Sequence, residues 1–510
     1  ARRARPAWGS RAKKAGPPDR AVFGSAVQSA FQAGGQLESR LPGYERRPEQ
    51  EEMASAVAAV IAGDGHAVIE AGTGVGKSLA YLVPAALHAA SGGGAVIVST
   101  NTINLQEQLL GKDLPVARSV VEKLGVKVDE VRGAQLKGRA NYLCFKKWAH
   151  AAQTSAPTDQ DARVIAKCLL WLQHTETGDR AEIGLGRDAA AFTRLSAQGA
   201  AGCPANDGPC FLRKARADAA GADIVVINHS LLLSDVVMGG GLLPPHDTLI
   251  IDEAQHLEPV ATRHLGFQVV ESQLTAELTT LQAGAGGRAG QARGLIFELA
   301  RVCQALGRER ALNPAPAAAA AAVAASTRAV DRTGTFFSAV RNLARDQAQP
   351  GEEGADLRIT PGTRAQPGWG ELELAWENVD APLAELTQAI RALISEAERG
   401  SPLNEDAQAV VLNATTSLET IGLARQGLRQ AVVEPAGETV YWVSSADRGA
   451  WTAINGAPLR VGALLKEKIF SRERCVILTG ATLSDPASAS ARSQGNGPSR
   501  EATAADGDDR

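Results

Sequence analysis

Residues 70–80 read Glu-Ala-Gly-Thr-Gly-Val-Gly-Lys-Ser-Leu-Ala, and residues 248–258 read Thr-Leu-Ile-Ile-Asp-Glu-Ala-Gln-His-Leu-Glu. The first stretch sets Ala71 and four spacers (Gly72, Thr73, Gly74, Val75) ahead of Gly76-Lys77-Ser78. Glycines at this spacing let a backbone turn tightly enough to aim its N–H groups at phosphate oxygens. A lysine at the end of such a loop reaches the β- and γ-phosphates, and the serine hydroxyl beside it can bind Mg²⁺. In the second stretch an apolar run, Leu249–Ile251, reads as a buried strand ending in Asp252 and Glu253. A carboxylate at a strand tip can hold the metal, and its neighbour can orient or deprotonate an attacking water. Each motif occurs by chance as a structural loop or an acidic turn. The two in this order predict a P-loop nucleotide-triphosphate site.

The surrounding pattern supplies the fold class, α/β. Ala67–Glu70 is expected as the strand feeding the loop, Ser78–Ala90 as the helix after it, and Ala95–Thr100 as a second strand followed by a helix near 105–110. That alternation is βαβ grammar and implies a mostly parallel sheet. Ile224–Ile227, Leu249–Ile251 and Val476–Leu478 read as later strands that return the chain to it. Residues 136–221 interrupt the pattern with cysteines, tryptophans and Gly-rich turns. Residues 263–445 show Leu- and Ala-rich helical periodicity, with flexible stretches expected at 284–292 and 346–369. The expected organisation is a sheet domain in three parts (41–135, 222–262, 446–483), a cysteine-bearing insertion (136–221) and a largely helical insertion (263–445). A basic disordered arm is expected over 1–40 and a disordered Ala/Ser/Gly/Asp-rich tail over 484–510.

Bulk properties set limits around this reading. A chain of 510 residues suggests about three or four domains. Apolar residues make up 44% and charged residues 21%, which suits a soluble globular protein, and no uncharged apolar run is long enough for a membrane span. No secretory signal opens the chain, so a cytoplasmic location is expected. The first twenty residues carry seven Arg or Lys against one Asp, and such arms can touch nucleic acid. The net charge of −3 leaves nucleic-acid binding open, because a local basic groove can sit inside a neutral total. The chain begins at Ala, so a true N-terminus upstream is expected. Its six cysteines (144, 168, 203, 210, 303, 475) suit a metal or cluster site better than disulfides.

Six blocks occur in one order: G-Y-E-R-R-P-E-Q-E-E-M-A (43–54), the phosphate loop, K-G-R-A-N-Y-L-C (137–144), A-D-I-V-V-I-N-H-S-L-L-L-S-D (222–235), the acidic strand tip and V-I-L-T-G-A-T-L-S (476–484). This series resembles the DinG branch of the XPD-like superfamily 2 DNA helicases. The resemblance implies a RecA-like motor domain interrupted by an iron–sulfur domain and a helical arch. It also implies an enzyme that hydrolyses ATP to unwind DNA with 5′→3′ movement on a single strand, with single-stranded or forked DNA as its partner. Lys77, Asp252, Glu253 and Gln255 would be its catalytic residues, with Gln255 standing where the family usually has His. His256 follows, either as a substitute or as a surface turn residue. Arg47 and Gln50 match the adenine-side motif and join Ala71 to Ser78 as nucleotide-binding residues, while Ser78 and Asp252 hold Mg²⁺. Ser99, Thr100 and Thr102 match a block that contacts the DNA backbone. Asn228 and His229 either line the DNA path or form a structural turn. Thr479–Leu483 match the block that couples hydrolysis to DNA contact, with Gly480 where Ser is common.

Cys144, Cys203 and Cys210 stand in contexts the family uses for a four-cysteine [4Fe–4S] cluster. Ala200 and Ala201 occupy the stretch where another Cys is usual, so the fourth ligand is either Cys168 or absent, and Cys168 has a second reading as a small core residue. Zinc is the rival metal. Cys303 and Cys475 read as core. The family's arginine-bearing second motor half is not recognisable after Leu483. The expectation is therefore a truncated or frame-shifted product, or one whose second half lies on another chain. Such a chain would bind Mg²⁺–ATP and turn it over slowly. The alternative is a non-enzymatic module, left by truncation, that binds nucleotide and single-stranded DNA.

Overall fold

Short apolar runs become the strands of two sheets in the computed structural model, which describes residues 19–41, 43–125, 131–153, 159–198, 209–282, 294–306, 315–345, 357–399, 403–445 and 451–483. The first five strands are β1 (His66–Glu70), β2 (Val96–Thr100), β3 (Gly133–Gln135), β4 (Ile224–Asn228) and β5 (Thr248–Ile251). The others are β6 (Phe267–Val270), β7 (Leu357–Ile359), β8 (Thr439–Ser445), β9 (Thr452–Pro458) and β10 (Cys475–Gly480).

Six of them form one sheet in the order β1-β10-β5-β2-β4-β3, with every neighbouring pair parallel. Val and Ile dominate its centre because both faces are covered. Alternate residues enter different cores, as a strand's two-residue period requires. Val96, Val98, Val226 and Ile250 pack with the helices Pro48–Gly63 and Lys77–Ala90, whereas Ile97, Val225, Leu249 and Ile251 pack on the opposite face. The register pairs Glu70 with Gly480, Leu478 with Ile251, and Ile251 with Ser99. The loop after β1 and the acidic tip after β5 therefore lie at the same rim, where strands of open α/β sheets end and ligands bind.

The expected α/β class and parallel sheet are present. The region read as a largely helical insertion is largely helical, and it also carries a second, antiparallel sheet, in the order β6-β9-β8-β7, that was not expected. Long helices (Ala315–Arg345, Pro367–Glu398 and Glu405–Val432) pack over that sheet in a core that joins Phe336, Phe337 and Trp376 to Tyr441 and Ile454. β9 pairs with β8 along its whole length, so the chain re-enters the parallel sheet at β10 rather than near residue 446. Of the stretch expected to be flexible at 346–369, residues 357–369 are ordered in β7, the short helix Pro361–Arg364 and the start of the helix Pro367–Glu398. For residues 19–40, the described part of the arm expected to be disordered over 1–40, that expectation is corrected. The helix Arg20–Phe31, N-capped by Asp19, buries Phe23, Val27, Ala30 and Phe31 against the parallel-sheet core. Those positions form one helical stripe, and its burial orders the segment. Residues 1–18 and 484–510 lie outside the described residues.

The cysteine-bearing insertion has its own small core of Leu143, Val164, Cys168, Leu185, Phe192 and Leu195. A buried ion pair fastens it: Lys137, in the K-G-R-A-N-Y-L-C block, meets Asp179 with 3% and 7% of each residue exposed. Among the described residues no helix is long and apolar enough to cross a membrane.

Candidate nucleotide-binding site

The phosphate loop leaves β1 with Ala71, whose N–H donates to Gly480 O on the neighbouring strand at 3.0 Å. Gly74 (φ 87°) and Gly76 (φ 85°) take left-handed conformations that L side chains resist, which is what the turn requires of glycine. Open space lies where side chains at 72 and 74 would project. Two upstream residues brace the loop from outside: Arg47 donates to Gly74 O, and Gln50 Nε2 donates to Gly76 O at 2.9 Å. Tyr44 in turn donates to Gln50 Oε1 at 3.0 Å. Arg47 and Gln50, expected on the adenine side, thus hold the loop's carbonyls. A side chain at 76 would be strained by the left-handed φ and would displace the Gln50 amide, since a Cβ there would lie 2.2 Å from its nitrogen.

Lys77 opens the helix Lys77–Ala90 and folds back over the loop. Its Nζ lies 3.2 Å from Ala71 O and 3.6 Å from Glu253 Oε1. Asp252 is 5% exposed, and burial with the adjacent Glu253 charge pushes its pKa up to about 6. Its Oδ2 accepts from Tyr81 at 3.1 Å, while its Oδ1 is buried without a hydrogen-bond partner. Glu253 adopts a left-handed backbone (φ 52°) that is uncommon away from glycine. Gln255 Nε2 donates to Glu253 Oε2 at 2.5 Å, so the amide in the usual His position holds the neighbouring carboxylate. His256 is exposed, which fits a turn residue.

Two residues near Ser78 had no sequence signal. Asp113 ends the π-helical stretch Leu109–Asp113 and is 8% exposed. Burial raises its pKa, against hydrogen bonds with Ser78 and Gln108 that hold it down. Tyr81 is wholly buried one turn after Ser78, and burial, reinforced by Asp252, keeps its phenol protonated.

The residues matched to DNA-contacting blocks split. Thr102 is exposed and caps its helix by accepting from Leu105 N at 3.3 Å. Ser99 and Thr100 are fully buried because β2 is central, so their hydroxyls turn inward. Ser99 Oγ lies 2.8 Å from His229 Nδ1. His229 is 1% exposed, and burial drops its pKa to about 4. Asn228 caps the helix His229–Val237 through Leu231 N at 2.9 Å, the turn chemistry that was one of its two readings. Thr479 is fully buried, with its Oγ1 unpartnered.

Cys144 and Cys210 are half-buried and flank one small cluster of Tyr142, Ala197 and Leu212. Cys168 is fully buried in the separate apolar core of the insertion, where burial pushes its thiol up to about 11. Cys203 lies outside the described residues. Among the described residues no group of three or more His, Cys, Asp or Glu side chains is placed to hold a metal ion.

Residues 47–151 match the DEAD/DEAH box helicase family. The chain is 29% identical over 464 residues to the 3′-5′ exonuclease DinG of Bacillus subtilis (strain 168), an alignment covering 88% of this chain and 47% of that protein. It is 35% identical over 258 residues to the ATP-dependent DNA helicase YoaA of Haemophilus influenzae, covering 49% of this chain and 39% of that protein. A solved XPD helicase aligns over 87% of this chain and 59% of its own at a TM-score of 0.41 and 12% identity, too loose to carry an argument. The chain spans less than half the length of these two curated relatives. It carries a DEAD/DEAH box helicase domain and is a homologue of the DinG and YoaA proteins.

Proposed function

We propose that this chain is the nucleotide-binding motor portion of an ATP-dependent DNA helicase that binds single-stranded or forked DNA and couples ATP hydrolysis to 5′→3′ unwinding of DNA in replication or repair. The observation that carries the reading is Lys77 Nζ set 3.6 Å from Glu253 Oε1, beside a glycine cradle left open at 72 and 74. In this reading Lys77 and the loop amides hold the β- and γ-phosphates, and Ser78 with Asp252 Oδ1 would hold Mg²⁺. The buried, unpartnered Oδ1 fits that role, because an orphaned carboxylate oxygen in a native site calls for an ion or water. The metal supplies charge neutralisation at the phosphates. Glu253 orients the attacking water and takes its proton, while Gln255 fixes the carboxylate. A second RecA-like half closing over the nucleotide would bring the cationic finger that such chemistry calls for.

The reading extends to a [4Fe–4S] cluster ligated by Cys144, Cys203 and Cys210, with Cys168 kept in the core and the fourth ligand supplied otherwise. Half-buried thiols at 144 and 210 around one small cluster support it, and the unpaired cysteines among the described residues suit a reducing cytoplasm. Visible absorption and iron analysis of anaerobically purified protein test it. Zinc with no visible absorption overturns it.

Binding of a fluorescent ATP analogue, binding of single-stranded DNA and DNA-stimulated phosphate release, each compared between wild type and Lys77→Ala, test the main reading. Lys77→Ala should lose nucleotide binding and turnover and keep DNA binding. A wild-type chain that binds neither ligand overturns the helicase reading. One that binds both without turnover, even with DNA present, is the non-enzymatic module.

A further inference from the structure

Asp252 cannot serve a metal well if its carboxylate is free to rotate, since either oxygen could then swing away from the site. One side chain restrains it, alongside the Glu253 backbone. Tyr81 Oη donates to Asp252 Oδ2 at 3.1 Å across 171 residues of sequence, leaving Oδ1 without a partner. Tyr81 lies three residues after Ser78 on the helix Lys77–Ala90, so the two side chains share one helix face beneath the phosphate loop. Its ring is wholly buried in the core behind the sheet, so the phenol position is fixed by packing and not by the nucleotide. The geometry is that of a rigid strut tying the loop's helix to the acidic strand tip.

We propose that Tyr81 is a positioning residue for the divalent cation: it clamps Asp252 Oδ2 so that Oδ1 and the Ser78 hydroxyl face one metal position. This inference rests on the reading of the loop as an Mg²⁺–nucleotide site and adds to it a residue outside both motifs. A phenol satisfied only as part of the core would make no difference to metal. A clamp makes the cation the specific casualty of its loss.

Tyr81→Phe keeps the ring and removes only the hydroxyl. The measurement is binding of a fluorescent ATP analogue across a Mg²⁺ titration and again in EDTA, alongside thermal unfolding. The half-saturating Mg²⁺ concentration should rise about ten- to a hundred-fold, the range for losing a hydrogen bond to a charged group. Affinity in EDTA should stay at the wild-type value, and excess Mg²⁺ should restore binding. An unchanged Mg²⁺ dependence overturns the proposal, as does an equal loss with and without metal, which marks a packing role. In an Asp252→Asn background the same substitution should shift the Mg²⁺ dependence no further, and an additive shift overturns the proposal independently. If the wild-type chain binds no nucleotide at all, the underlying site reading falls first. A wild-type chain that binds while Tyr81→Phe matches it brings down only the clamp.

Discussion

The two rims of the parallel sheet differ in how many of their buried polar atoms stand without a partner. Where strands begin, charges are paired. Asp247, just ahead of β5, accepts from Gly94 N at 2.9 Å and lies 3.2 Å from Arg474 and 3.4 Å from His88 Nε2. Asp223, ahead of β4, accepts from Arg132 N at 2.8 Å. Where strands end, buried atoms stand alone. Thr100 Oγ1, His229 Nε2, Asp252 Oδ1, Gln255 Oε1 and Thr479 Oγ1 all lack a hydrogen-bond partner, and Glu253 holds a left-handed backbone. The starting rim has fewer such features: His246 Nε2, which lies 3.3 Å from Glu473, and the positive φ of Asp64. Orphaned polar atoms and strained residues cost stability, and they persist where a ligand completes them. The starting rim is the more fully paired, and the ending rim holds the groups that the proposed nucleotide site would use.

The sharpest way to break this contrast is at Glu253. Glu253→Gln keeps the shape and removes the carboxylate proposed to accept the water's proton, so on that proposal ATP turnover should fall about 10²–10⁴-fold while nucleotide binding and the unfolding midpoint stay unchanged. A variant that still hydrolyses ATP, or one that unfolds early, would place the ending rim among structural elements. Steady-state phosphate release and calorimetry decide it.

His229 separates the rims by pH. Its folded pKa of about 4 lies below its ordinary value of 6.5, so between those values the unfolded chain holds a proton that the folded chain lacks. Stability therefore rises with pH through that window and falls as pH drops from 6.5 to 4, by at most about 3 kcal/mol. Asp252, raised from 3.8 to about 6, acts in the opposite sense, because its folded carboxyl holds the extra proton there. The two offset each other, so the readable quantity is a difference. Denaturant unfolding of His229→Asn should lose less stability than wild type between pH 7 and pH 5.

How much of this was legible in the sequence follows from how local each signal is. Lys77, Ser78, Asp252 and Glu253 could be placed because phosphate and metal chemistry fixes residue types at short spacings. β2 and β5 were visible as unbroken apolar runs. Tyr81 and Asp113 were not, since a tyrosine on an apolar helix face looks like core, and only the tertiary contact with Asp252 shows otherwise. The antiparallel sheet was hidden for a related reason. β7 has three residues, and more than sixty residues of helix separate it from its partner β8, so helical periodicity dominates every window around it. The stripe Phe23, Val27, Ala30 and Phe31 was present in the letters but stood beside a basic, Pro-containing run that reads as disorder.

The starting rim gives the complementary prediction. Burial alone would raise the pKa of Asp247, yet His88 and Arg474 hold it below the usual carboxylate range. Asp247→Ala strands the Arg474 guanidinium, the His88 ring and the Gly94 amide, so unfolding free energy should fall by about 1.5–3 kcal/mol, the range for hydrogen bonds to charged groups. ATP turnover per folded molecule should not change. Lost turnover at full stability would erase the distinction between the rims.

The smallest effect tests whether two departures from the family pattern belong together. Gln255 stands where His is usual and Gly480 where Ser is common, and the fold sets them side by side. A Cβ at 480 would lie 2.3 Å from Gln255 Oε1 and 2.8 Å from Leu483 Cδ2. The glycine thus leaves room for the amide, whose nitrogen steadies Glu253 from 2.5 Å away. Gly480→Ala would displace a flexible side-chain end, not backbone, so stability should change by less than about 0.5 kcal/mol. Displacing the amide releases Glu253, and turnover should drop by about ten-fold, the loss of one ordinary hydrogen bond. In a Gln255→Ala background nothing remains to displace, and Gly480→Ala should then leave turnover unchanged. Independent effects in the two backgrounds would mean that the glycine acts on β10 itself and that its contact with the amide is incidental.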